Sequence, residues 1–486
     1  MRGMRSAHRR LAGGLGAFVL ALAASPGRPA LAWDSATTHR GLTEVAVSAS
    51  QLHAVLVRQL GRALGGYEPL LLDAGALAPN LARSLETRLA CLDPADGARP
   101  SPDGTAAAFA WVEAGAILEK TPPERGRHHF FEPGKRVGLD DGPGLSSDVH
   151  VARLTLDDGA TVRDLATGQA FALAGMPALD WVWSPRNELG LAAFFDNWER
   201  AASAGQARER ETALVRALLA LGGSLAVLED MGQPAFVRND FRGEFLRGDA
   251  GSELERFVAD RYGAVAVPAP LAPVVRPDVD SFFVAADGKG LAQLTQARFF
   301  SPGTLPRDFR FDPREAPAEV VQAANQTLKF PAPALPTLAL GQPGRTRYLE
   351  QDGMRVLAYE RNGNQVHFFL DRAVYADCAR AWLPTVGSYA VGLVDHLLRV
   401  RVTIRVEQGQ AAVSASGIRG ALATGATLHV LAEDAAGARK EIGQASLATD
   451  TPVLFGVPPG ARKLAAYVRG RDAGGIFVAA GETMVP

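Results

Sequence analysis

Apolar residues return at helical spacing over most of the first half of the chain. Between positions 35 and 64 they fall at Leu42, Val45, Leu52, Val55, Leu56 and Leu60, and Gly65-Gly66 ends the run. The same period predicts helices over 81–91, over 105–119 (where Pro122-Pro123 forbid continuation), over 188–202 and over 207–231. The last of these is long and very apolar, with Leu214, Leu218, Leu221, Leu225 and Leu228 on its faces. It also carries Gly222-Gly223, each costing about 1 kcal/mol in a helix relative to Ala, so close packing against a neighbouring helix is the expected compensation. A short helix is expected over 252–262, and the Pro-rich passage 267–275 reads as a connector.

Between 347 and 371 the period changes to alternation, punctuated by Asp352-Gly353 and Asn362-Gly363, which predicts a hairpin or meander. A helix over 376–398 follows. Beyond 399 the segments VTIRVEQ, TLHVLAED, PVLFGV and KLAAYVRG alternate, with Gly- and Asp-rich turns between them, the pattern of a small β-sandwich. No internal repeat interrupts this order. The expected fold is mainly α, with a small β hairpin insertion, followed by a C-terminal all-β sandwich.

The chain opens on an address. Arg2, Arg5, Arg9 and Arg10 precede the apolar run LAGGLGAFVLALAA, and Ala30-Leu31-Ala32 supplies a small-x-small end, which together describe a secretory signal peptide. The run is shorter than the roughly 20 residues a membrane span needs. Cleavage after Ala32 removes 32 residues and five arginines, leaving 454 residues at a formal net charge of −6 with Trp33 as the new N-terminus. The expected location is secreted or periplasmic. The expected organisation is 1–32 signal peptide, 33–399 helical domain and 400–486 β-sandwich.

Composition narrows the function classes. With 47% apolar and 21% charged residues the chain can bury a substantial core. A formal net charge of −1 for the whole chain argues against stable binding to nucleic acid by bulk charge. Two cysteines, Cys91 and Cys378, rule out a cysteine-rich zinc module and permit one disulfide in an oxidising compartment. No G-x-S-x-G elbow, G-x-x-x-x-G-K-[ST] loop or H-E-x-x-H helix occurs, so the chemistry falls to scattered His and carboxylate residues.

Four stretches carry a resemblance: Trp33 at the processed terminus, His39 six residues on, RHHFFEP at 127–133, and LGGSLAVLEDMGQPAFVRNDF at 221–241. Together they resemble the zinc-dependent phospholipase C and S1/P1 nuclease superfamily over about 33–399. That resemblance implies a helical domain holding up to three zinc ions and hydrolysis of phosphodiester or phosphomonoester bonds in phospholipids or single-stranded nucleic acids. It implies metal ligation by the amine and carbonyl of Trp33 and by His39, His129, Asp230 and Glu255, with Glu119 in place of an aspartate; the neighbouring Lys120 cannot ligate. Asp230 would bridge two metals and carry catalysis, because a metal-bound water loses its proton near pH 7.

Three positions depart from the pattern: Ala226, Phe236 and Gly251 stand where the family has histidine, and no histidine lies between His150 and His367. Zinc favours imidazole and thiolate, so the donor set implies one or two ions rather than three. Structural roles compete with each assignment. Trp33 suits an aromatic staple, Glu255 a solvated or Arg-paired helix residue, and Phe236 and Ala226 plain core filling. A carboxylate at Asp230, ending an apolar helix, needs a metal or a basic partner such as Arg238. His53, His128, His367, His396 and His429 read as structural. Three functions follow: a zinc-dependent phosphoric ester hydrolase acting on phospholipid or another phosphodiester, an inactive relative acting as a binding or surface-interaction protein, or an enzyme using the same scaffold and cavity for other chemistry, the partner of its β-sandwich being unassigned.

Overall fold

The structure is a computed structural model that describes residues 35–73, 75, 77, 79–89, 104–139, 154–157, 161–164, 170–172, 174–241, 252–264, 271–314, 320–321, 338–340, 342–422, 426–447 and 451–486. The first amphipathic run is divided. A π-helical turn Ser35–His39 leads into α1 (Arg40–Ala49), the chain turns extended at Ser50, and α2 (Leu52–Arg58) resumes the same apolar stripe. The break is fixed from outside, since the Gln51 backbone N–H donates to Asp395 at 2.8 Å. After α3 (Pro79–Leu89) comes α4 (Ala108–Leu118), and residues 105–107, expected to be helical, form a strand instead. They pair with 69–71, a partner too distant in sequence for local periodicity to reveal.

The centre of the helical part is α7 (Ala207–Asp230), packed against α4, α1 and α6 (Leu191–Ser203), beside the short α5 (Ala178–Trp183). By length and hydropathy α7 could cross a membrane, yet it is a core helix here, with nearly every residue from Ala213 to Asp230 buried. Its glycines are spacers. A Cβ on Gly222 would lie 1.8 Å from the Val112 carbonyl oxygen, and one on Gly115 of α4 would lie 2.0 Å from that of Leu219. Backbone therefore meets backbone where the two helices cross, which is the compensation the sequence predicts for Gly222.

The remaining helices are α8 (Glu253–Ala259), α9 (Asp280–Phe283), α10 (Leu291–Arg298) and α11 (Arg372–Leu397). The last starts four residues before the expected point, because the Asp371 carboxylate accepts from the backbone N–H groups of Ala373 and Val374 and caps it. Among the described residues of the expected connector, Val274 donates its N–H to Ser388 of α11, so this stretch is strapped to the helix.

Short strands decorate the helical part. Strands β1 (Pro69–Leu71) and β2 (Thr105–Ala107) pair antiparallel, and β3 (Leu154–Asp157), β4 (Thr161–Asp164) and β5 (Ala170–Ala172) form a small meander. The expected hairpin belongs to a larger unit. Strands β6 (Phe309–Arg310), β9 (Arg347–Gln351), β10 (Met354–Asn362) and β11 (Gln365–Phe369) make a four-stranded sheet in the order β6-β11-β10-β9, while β7 (Val320–Val321) pairs with β8 (Leu338–Ala339). This sheet has a core of its own around Phe300, Phe311, Leu357 and Phe368. Asp352 and Gly353 both take positive φ at the first turn, the I′ pattern. At the second turn the loop is Gly363-Asn364, one residue beyond the expected dipeptide, with Gly363 at φ +59.

After α11 the chain becomes entirely β. Strands β12 (Arg401–Glu407), β13 (Gln410–Ser416) and β16 (Val453–Gly456) form one sheet. Strands β14 (Thr427–Glu433), β15 (Arg439–Ser446), β17 (Lys463–Asp472) and β18 (Gly475–Met484) form the other, in the order β15-β14-β17-β18. Alternate residues such as Val402, Val413, Leu428, Val430 and Val468 fill the space between the sheets. Val478 and Ala480 of β18 instead join the core of the helical part, which fastens the sandwich to it.

Candidate functional site

Four segments bring their ends to one place inside the helical part. His39 closes the π-helical turn before α1; Glu119 caps the C-terminus of α4 and Lys120 follows it. Arg125 and His129 lie on the 3-10 stretch Pro123–His129, and Glu229 and Asp230 end α7. The glycine-mediated approach of α4 to α7 makes this convergence possible, since a side chain on Gly223 would collide with the Glu119 carboxylate at 2.9 Å.

Asp230 is the hub. Its Oδ2 accepts from His129 Nδ1 at 2.6 Å and sits 2.8 Å from the Lys120 ammonium. His39 turns Nδ1 to Glu229 Oε2 at 2.5 Å, and Thr43 donates its hydroxyl to Glu229 Oε1 at 3.0 Å. His39 Nε2 is 3.2 Å from Asp230 Oδ1, close enough for an ion pair but out of hydrogen-bond alignment. Glu119 forms a second hub, taking Arg125 Nη2 at 2.6 Å, Trp181 Nε1 at 2.7 Å and Asn187 Nδ2 at 3.3 Å, with His129 Nε2 at 3.5 Å. His39, Glu119, Lys120, His129, Glu229 and Asp230 are all wholly enclosed, at 0% exposure.

The charges are arranged by this enclosure. For Asp230, burial opposes ionisation, but the Lys120 ammonium and His39 outweigh it and hold the carboxyl well below the usual carboxylate range. Burial likewise opposes ionisation of Glu119, and the Arg125 guanidinium, followed by His129, pulls it down. Burial alone would lower His39, yet the Asp230 carboxylate 3.2 Å away and the bond to Glu229 lift it to about 9. Glu229 is pushed up, chiefly by burial.

Of the residues expected to hold metal, His39, Glu119, His129 and Asp230 lie together in this cluster. Trp33 and the neighbouring site position Gly251 fall outside the described residues. Glu255 is engaged at the N-terminus of α8, where its carboxylate accepts from the Ser252 backbone N–H while its own N–H donates to the Ser252 hydroxyl at 3.3 Å, a capping box. Phe236 and Ala226 are buried, and the Phe236 ring packs on Phe130 with centroids 4.4 Å apart. Arg238 is not the partner of Asp230; it donates to the carbonyls of Phe299 and Gln296. His128 stacks on Trp181 and accepts from the Met176 N–H at 2.8 Å. Cys378 is a free buried thiol, and Cys91 lies outside the described residues.

The sequence reading missed Glu229, Lys120 and Arg125 as members of the cluster. For Glu229 a signal was available, since two adjacent carboxylates ending an apolar helix need charge partners, whereas Lys120 and Arg125 reach the cluster only through the fold.

These residues do not fit a zinc ion. Among the described residues, no three His, Cys, Asp or Glu side chains are gathered as a group able to hold a metal. Asp230 Oδ2 is already taken by an imidazole N–H and an ammonium, and the ammonium would repel a dication placed on this carboxylate at a ligand distance of about 2.0–2.2 Å. What the arrangement does chemically is neutralise buried carboxylates with cations of the same chain.

Comparison with the sequence profiles of protein families finds no match, and neither does comparison with curated proteins. Among solved structures, the α-toxin of Clostridium perfringens from an avian strain aligns over 92% of this chain and 95% of its own, at 10% identity and a TM-score of 0.28. The α-toxin of Clostridium absonum aligns over 93% of this chain and 99% of its own, at 8% identity and a TM-score of 0.27.

Proposed function

We propose that this chain is an exported protein on a phospholipase C/P1 nuclease-type scaffold whose hydrolytic centre has become a closed structural core, and that it works as a binding or surface-interaction protein. The kinship rests on Trp33, His39, the RHHFFEP stretch and the 221–241 stretch, and export rests on the leader pattern. One observation carries the loss of hydrolysis: Asp230, the residue that would carry catalysis, is at 0% exposure with Lys120 and His129 on its carboxylate. A substrate phosphoryl group has to touch the group that attacks it or the metal that polarises it. Two open grooves, of about 470 and 460 Å³, lie elsewhere, the first between Trp183, Asp278 and the turn joining β17 to β18, the second along the start of α7. Both suit a binding role.

The test uses the mature protein from an export-competent host, assayed for bound zinc and for release of phosphorylcholine from phosphatidylcholine and of nucleotides from single-stranded DNA. The expected outcome is no stoichiometric zinc and no release. Stoichiometric zinc together with release that Asp230→Asn abolishes would establish the alternative, a zinc-dependent phosphoric ester hydrolase with a reduced metal site.

A further inference from the structure

We propose that the Lys120 ammonium is a built-in cation, occupying the place among His39, His129 and Asp230 that a divalent ion would otherwise take. The inference rests on the closed-centre reading above and deepens it by naming what closes the centre. Two imidazoles and a carboxylate are the types of donor that zinc or cobalt favours, and here they lie fully buried with both rings within 3.2 Å of the carboxylate, though not gathered as a group able to hold a metal. Such a set is unstable without a positive charge, because an ionised carboxylate in low dielectric must be paired. Here the positive charge is a lysine at 0% exposure, 2.8 Å from Asp230 Oδ2.

The surroundings are built for an ammonium. Lys120 leaves the C-terminal end of α4 and reaches the C-terminal end of α7, and both ends carry the partial negative charge of the helix dipole. Its Nζ sits over the ring of Phe236, 4.5 Å from the centroid, so the negative ring face supports the cation alongside the carboxylate. Phe236 stands where the family pattern has histidine; an aromatic face suits an ammonium as an imidazole lone pair suits a metal. Arg125 does the same service for Glu119 at 2.6 Å. Each hub carboxylate thus owns one cation from the chain, and a dication has no charge left to balance.

The experiment compares thermal unfolding of the full mature chain with Lys120→Met and Lys120→Met/Asp230→Asn, each with chelator and with Co²⁺. Wild type is expected to be indifferent to both additions. Lys120→Met should lose about 10 °C, having taken the ammonium from a buried carboxylate and left it to the two imidazoles, and the double variant should regain at least half of that loss. Co²⁺ should raise the midpoint of Lys120→Met by several degrees and leave the double variant unmoved. Should Lys120→Met yield no soluble protein, recovery of soluble protein in the double variant supports the assignment and continued loss overturns it. Lys120→Met as stable as wild type, or Co²⁺ stabilising wild type as much as Lys120→Met, also overturns it. Release of product by wild type with this pattern intact would sink the closed-centre reading alone.

Discussion

His39 gives the cluster a pH dependence whose sign follows from its surroundings. It is hemmed in by Glu229, Asp230 and Lys120, and the carboxylates win, raising it from 6.5 to about 9. A group whose folded value lies above its unfolded one contributes stability that is complete below pH 6.5 and is lost as pH climbs through about 9. Glu229, raised by burial, acts in the same direction. The expected outcome is a fall in unfolding free energy between pH 7 and 9 of at most about 3 kcal/mol, flattened in His39→Gln, read from urea midpoints across that range. Arg125→Met tests the second hub: it strands Glu119 with only neutral donors and His129, and should cost roughly 3 kcal/mol in the same measurement at neutral pH. At this scale His39, His129 and Asp230 were singled out by the family resemblance, and the structure brings them together. Lys120 was read as excluded from ligation, which is consistent with its position, but its role as the charge partner could not be seen. The sequence does not state that α4 and α7 approach closely enough for residue 120 to reach residue 230.

Elements were legible where their cause is local. The apolar stripes of α6 and α7 sit within a few residues of their predicted bounds because side-chain period alone places them. Strand β2 and the break at Ser50 have causes far along the chain, in residues 69–71 and in Asp395, and so left no local trace. The start of α11 had a readable cap in Asp371, masked by the strand pattern running into it. Gly222 lets the two kinds of cause be weighed against each other. Helix propensity alone says that Gly222→Ala should stabilise by about 1 kcal/mol. The crossing says otherwise, since the new methyl would lie 1.8 Å from the Val112 carbonyl oxygen, a backbone atom that cannot rotate away. Overpacking should win, with a net loss of roughly 3 kcal/mol in urea unfolding and lower soluble yield. A gain in stability would mean that α4 and α7 are further apart than described, and the route by which Lys120 meets Asp230 would fall with it.

For the whole molecule the question is whether the helical part and the sandwich unfold as one. Between-part surfaces within a chain are commonly polar and permit relative motion unless they are large and apolar. This one has an apolar component, Val478 and Ala480 of β18 set into the helical core, and an ionic one centred on Arg439. Arg439, whose side chain is 2% exposed, donates to Glu433 at 2.8 Å and to Glu482 within the sandwich, and to the carbonyl of Ala202 in α6 at 2.6 Å. Arg210 of α7 answers from the other side, reaching Glu433 at 3.1 Å. Losing Arg439 therefore leaves two carboxylates at the junction with Arg210 and Lys463 as their cations, and removes the side-chain bond to Ala202 of α6 while the more exposed pairs of Arg469 with Asp196 and Glu199 remain. Wild type should show a single calorimetric transition, because the apolar and ionic contacts act together. Arg439→Met should show two, the sandwich melting first, since a seven-strand unit with a small core of its own depends more on the junction than the larger helical core does. A single, merely lowered transition in the variant would mean that Val478 and Ala480, with the remaining pairs of Arg469 to Asp196 and Glu199, are sufficient to couple the two parts, and Arg439 would then be one contributor rather than the centre of the junction.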